Sequence, residues 1–94
     1  MRCFCGKLVK VIESKNIFYN DSVSLGKCKC GKFLEERGGS SWDVNGEWSW
    51  HGYLHEYKKE DFDLLLNCLK TNKTGYDYPN LQVLQTKKII EYGE

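Results

Sequence analysis

Apolar and polar residues follow a strand-like pattern through the first half of this chain, and the spacing lengthens to that of a helix in one place. Over residues 7–27, Leu8, Val9, Val11 and Ile12 are β-prone, and residues 14–16 carry turn chemistry. Ile17, Phe18 and Tyr19 restart a strand, and residues 20–22 mark a bend before Val23 and Leu25. Residues 32–37 continue as a strand that breaks at Gly38 and Gly39. In the run SWDVNGEWSW, residues 41–50, Asn45 and Gly46 both accept positive φ, as a two-residue type I′ hairpin turn demands. The predicted register pairs Val44 with Glu47, Asp43 with Trp48 and Trp42 with Ser49. Trp48, Trp50 and Leu54 then share one face, and Trp42, Val44, His51 and Tyr53 the other.

Between Glu60 and Asn72, Phe62, Leu65, Leu66 and Leu69 fall at i, i+3, i+4 and i+7, which predicts an amphipathic helix of about three turns. Glu60, Asp61 and Asp63 at its start and Lys70 and Lys73 near its end complement the helix dipole. The tail LQVLQTKKIIEYGE predicts two short strands, residues 81–85 and 87–92. The resulting expectation is one α+β domain of 94 residues, in which a small cysteine-stapled half, residues 1–37, is extended by an antiparallel sheet packed on one amphipathic helix, residues 38–94.

Length makes the core marginal. At this size about 60 to 65% of the unfolded surface leaves water on folding, and ordering costs about 1.5 kcal/mol per residue, so small chains often carry a further staple. Five cysteines, Cys3, Cys5, Cys28, Cys30 and Cys68, are an odd number for an intramolecular disulfide set, and the first residues show no apolar leader or membrane span. The expected setting is a reducing cytoplasm, where closely paired cysteines hold metal more often than they form disulfides.

Four of these cysteines lie in a repeat. CFCGK, residues 3–7, returns as CKCGK, residues 28–32. Side chains at i and i+2 of an extended chain point the same way, but two thiolates converge on one ion at about 2.3 Å only if the backbone curves. Gly6 and Gly31 permit that curvature. The repeat therefore reads as two knuckles closing one tetrahedral site through Cys3, Cys5, Cys28 and Cys30, with Lys7 and Lys32 adding positive charge beside a thiolate-rich centre. The ion expected is structural Zn²⁺, with iron in the same four thiolates as the alternative. A redox-active dithiol would need one pair and leaves the second unexplained. Structural zinc in small peptides contributes about 10–16 kcal/mol, against a net domain stability of about 5–15 kcal/mol. On these residues the segment 1–37 resembles the zinc-ribbon group, in which two cysteine knuckles on β-hairpins clamp one structural zinc. Its knuckles usually carry two residues between the cysteines; here there is one, Phe4 or Lys29. Cys68, beside the helix stripe, reads as a small buried hydrophobe.

The other candidates are weaker. His51 and His55 stand four apart, a spacing that on a helix would let both reach a metal and suggests a metal-dependent hydrolase, but Gly52 and the alternating aromatics favour a strand. No phosphate-binding glycine loop or nucleophile motif is present, so no catalytic residue is assigned and the chain reads as non-enzymatic. Trp48 and Trp50 are expected in the core against the helix, which leaves Trp42 and Tyr53 as anchors for a protein partner.

Formal net charge is +1, yet residues 1–37 hold eight basic against four acidic residues and the remainder six against nine. That split makes direct DNA or RNA binding through Lys7, Lys10, Lys27, Lys29 and Lys32 the alternative function, while the near-neutral total favours a protein partner. Alanine is absent, and lysine, asparagine and isoleucine are favoured, as in AT-rich genomes and many phage or mobile-element proteins. The expectation is a zinc-stabilised regulator or inhibitor of nucleic-acid machinery that binds protein, with neither a membrane nor a small-molecule substrate.

Overall fold

The computed structural model describes residues 1–18, 21–42, 44–46, 48–71 and 77–92. Among these residues five strands, β1 (Lys10–Phe18), β2 (Asp21–Lys27), β3 (Phe33–Trp42), β4 (Trp48–Tyr57) and β5 (Gln85–Tyr92), form one antiparallel sheet in sequence order. Among the described residues one α-helix, α1 (Lys59–Lys70), lies between β4 and β5 in the chain. Among the described residues no helix is long and apolar enough to cross a membrane.

Strand alternation sends neighbouring residues to opposite faces, and each face has its own core. On one face Ile17, Val23, Leu25 and Tyr57 pack against Phe62, Leu65 and Leu69 of α1 and against Tyr78. These are three of the four predicted stripe residues, the fourth, Leu66, being partly buried against the same core, and burying each of the three contributes about 1.5–3 kcal/mol. No side chain caps the helix at Lys58; Lys59 pairs with Asp63 at 2.9 Å, and Lys15 of β1 donates to the Leu69 carbonyl, placing a cation at the negative end of the dipole. On the opposite face Leu34 and Leu54 are buried beneath Cys3, Val9 and Cys28, with Met1, Phe4 and Ile89 around them.

Four strand-level expectations are corrected, the first being the break at Gly38 and Gly39, through which β3 runs paired with Gly52 and His51. The turn at residues 14–16 is absent: β1 runs through them, pairing Ser14 with Ser24 and Lys15 with Val23, and the Ser14 and Ser24 hydroxyls meet at 2.9 Å. The β1–β2 register is irregular at Val11/Glu13 and Asn16/Phe18. The two-residue turn at Asn45–Gly46 is also overturned. Trp42 lies opposite Trp48, and Ser40 opposite Trp50, so the loop is longer than two residues; Gly46 does take positive φ, at 78°. Expected partners Asp43 and Glu47 fall outside the described residues, as do the side chains of Trp42 and Trp48. Finally, β5 is one strand from Gln85, and residues 81–84 lead into it without strand pairing.

Trp50 does not pack on the helix. It is half-buried on the cysteine-bearing face, over the paired glycines Gly38 and Gly52. A methyl at Gly38 would stand 2.6 Å from Trp50 Cζ2 and 2.5 Å from the His51 carbonyl oxygen. The indole thus occupies the space that two missing side chains leave, and α1 is confined to the other face.

Candidate metal centre

The two copies of the repeated pentapeptide fold alike. In the first, the Cys3 amide donates to the Lys7 carbonyl and the Gly6 amide to the Cys3 carbonyl, both at 2.9 Å. In the second, the Cys28 amide donates to Lys32 at 3.0 Å and the Gly31 amide to Cys28 at 2.9 Å. Gly6 and Gly31 sit at φ 90° and 99°, a conformation that strains any side chain. The pattern is a three-residue hairpin loop closed by a left-handed glycine. The second knuckle is the turn joining β2 to β3. The first precedes β1, where an Arg2–Leu8 bridge pins it and Val9 donates to the Met1 carbonyl at 2.9 Å.

These turns bring four sulfurs together. Cys3 Sγ lies 3.6 Å from Cys30 Sγ, Cys5 Sγ lies 3.5 Å from Cys28 Sγ, and all four fall within 4.8 Å of one another. A disulfide, at about 2.05 Å, is excluded by those distances. Four sulfurs about 2.3 Å from one centre stand about 3.8 Å apart along each tetrahedral edge. The donor set thus fits one metal ion, which the four cysteines could bind. The first cysteine of each knuckle, Cys3 or Cys28, is buried against Leu34 and Leu54, and the second, Cys5 or Cys30, is exposed.

Backbone amides and burial pull the knuckle thiols in opposite directions. The Lys7 amide at the Cys5 sulfur pulls that thiol down to about 7. Burial pushes Cys3 up to about 12. At Cys28 the Cys30 amide, 3.5 Å from the sulfur, favours the thiolate, but burial and the adjacent Cys30 and Cys5 thiols outweigh it and the group is raised. A crowd of thiols holding its protons against one another in this way is relieved by a cation at its centre.

The predicted residues outside the cluster are placed as follows. Among the described residues, these four cysteines form the group of three or more potential ligands close enough to share an ion, and neither His51 nor His55 belongs to it. The exposed His51 bonds to Ser49 Oγ at 2.9 Å, while the half-buried His55 bonds to Thr86 at 3.2 Å and is lowered by burial, with Glu35 and Arg37 acting in opposite directions. Among the candidate lysines, Lys32 pairs with Glu56 at 3.2 Å and is raised by it, and Lys27 lies over the Phe33 ring at 5.3 Å. Lys7, Lys10 and Lys29 are exposed. Tyr53 is 41% exposed and stacks on His55. Cys68 is half-buried against the helix-side core.

Sequence reading missed a second polar constellation. The Glu35 carboxylate, 1% exposed, accepts from Tyr57 at 3.2 Å and from Tyr78, and lies 4.0 Å from His55 Nε2. Burial raises both phenols, and Glu35 adds to it. The available signal was parity: Glu35 shares the face of Phe33, inside rather than out. No protein-family model matches the chain, and neither a curated protein nor a solved structure is significantly similar to it.

Proposed function

We propose that the chain is a non-enzymatic, protein-binding module whose two knuckles are closed by one structural zinc ion. A closed set of four thiolates leaves no open position for substrate, which suits a stapling role. Zinc fits such a site without a geometric preference of its own or any redox chemistry. The knuckles join the start of the chain to the β2–β3 turn, so the ion would fix the cysteine-bearing face and stiffen the sheet from which the opposite face is presented.

Tyr53 carries the binding reading. It stands 41% exposed on the interior strand β4, directly opposite Arg37 on β3, and both border one cavity. Tyrosine and arginine beside a pocket are the residue types that dominate protein-interface energetics. The nucleic-acid reading is weakened because Lys32 is paired with Glu56, which leaves the exposed Lys7, Lys10, Lys27 and Lys29 of its five cations.

Affinity capture with the zinc-loaded chain and with Tyr53→Ala tests the proposal. The expected result is a nuclease-resistant protein retained by the wild type and lost with Tyr53→Ala, whose melting temperature is unchanged. Equal retention by both, or capture that nuclease abolishes, contradicts it.

A further inference from the structure

A cavity of about 300 Å³ opens on the helix-bearing face of the sheet, lined by Asp21, Arg37, Gly38, Gly39, Ser40, His51 and Tyr53. None of its lining comes from α1. Strand register explains the hollow. On this face the row Phe33, Glu35, Arg37 reaches Gly39, where β3 carries no side chain, and the facing residues of β4 are Tyr53 and His51. Lys88 of β5 lies opposite Tyr53 on its other side, so Tyr53 is flanked in register by two cations, Arg37 and Lys88, on adjacent strands.

Arg37 is the unusual member. It is half-buried, its guanidinium lies 5.6 Å from the Tyr78 ring centroid, and it forms no ion pair among the described residues. A contact with a ring face satisfies none of the guanidinium N–H groups, and a partly desolvated cation gains most from a charged acceptor on them. Asp21 decides what sort of acceptor. It lines the same cavity without pairing to Arg37, so the hollow is bordered by one formal cation and one formal anion rather than being a basic groove. A phosphate backbone would bring successive negative charges against Asp21. A single carboxylate on a peptide meets Arg37 alone, and the peptide's own N–H groups can donate to Asp21.

We propose that this cavity receives an aspartate or glutamate side chain of the protein partner, its carboxylate on the Arg37 guanidinium, beside Tyr53 and with Lys88 at the rim. The inference rests on the protein-binding reading and adds the chemistry of what is bound.

The test is a nuclear magnetic resonance titration of the isotope-labelled, zinc-loaded full chain with three probes: a capped pentapeptide bearing one central glutamate, the same peptide with glutamine there, and a single-stranded oligothymidylate. The glutamate peptide is expected to shift the Arg37 side-chain N–H signal and the Tyr53 and Lys88 amides saturably, and the glutamine peptide to bind about tenfold or more weakly. Changing the peptide leaves the protein intact, so a folding defect cannot imitate that difference. Arg37→Gln should lose the same factor, and Arg37→Lys should recover part of it. Equal binding of both peptides, a stronger response to the oligothymidylate, or no response to any probe overturns the inference. In the capture experiment, loss of the partner by Tyr53→Ala but not by Arg37→Gln would sink this inference and leave the protein-binding reading standing.

Discussion

Tyr78→Phe removes one oxygen and asks whether the segment leading to β5 is held to the sheet through Glu35. Tyr78 is 7% exposed and donates to Glu35 Oε2, while Tyr57 serves Oε1 at 3.2 Å. Phenylalanine keeps the ring, its packing in the helix-side core and its contact with Arg37, but leaves a carboxylate oxygen without its buried donor. An orphaned buried acceptor costs about 1–3 kcal/mol, more when charged. A loss of about 2 kcal/mol lowers the melting temperature of a domain this size by about 8–16 °C. Circular dichroism melts and urea titrations of the zinc-loaded protein measure it. Glu35→Leu strands two phenols and should also destabilise, whereas the double variant with Tyr78→Phe should lose less than the sum, because the two groups satisfy each other. A shift below about 2 °C for Tyr78→Phe, or strict additivity in the double variant, would refute the reasoning.

Other outcomes follow from the same geometry. Gly31→Ala places a methyl in open space at φ 99°, so its effect is backbone strain on the order of 1–2 kcal/mol; chelator competition should show zinc held about five- to thirtyfold more weakly. Gly38→Ala sets a methyl 2.5 Å from the His51 carbonyl oxygen and 2.9 Å from Gly52 Cα, both backbone, and should cost about 1–3 kcal/mol in urea titration. Tyr57 and Tyr78 have folded values raised above the unfolded value of about 10. Their stabilising contribution is therefore whole below about pH 10 and is lost as pH climbs through the raised values. Two of the six tyrosines should accordingly resist ionisation until the chain unfolds, as phenolate absorbance against pH would show.

The knuckles were legible because their signal is local: a glycine at fixed offset from a cysteine pair closes each turn, and repetition proclaims that the two turns share a task. The helix was legible for the same reason, its stripe lying within a few residues. Long-range terms defeated the rest. Asn45 and Gly46 favour a tight turn, yet the register pairing Trp42 with Trp48 and Gly38 with Gly52 sets the loop, and that register depends on an indole lying over glycines fourteen residues apart. Residues 14–16 have turn chemistry, but two serine hydroxyls satisfy each other across the strands. Glu35 reads as a solvated charge until Tyr78, 43 residues on, arrives to bury it.

Metal content and structure in one preparation test the central claim most directly. The chain, purified under reducing conditions, would be assayed by elemental analysis and X-ray absorption, then refolded without metal and compared by amide hydrogen exchange. The expected result is one zinc ion per chain with four sulfur ligands at about 2.3 Å, together with loss of amide protection in both knuckles and beneath them at Leu34 and Leu54 when the ion is removed. A chain free of zinc and iron whose knuckle amides stay as protected as before would contradict the account.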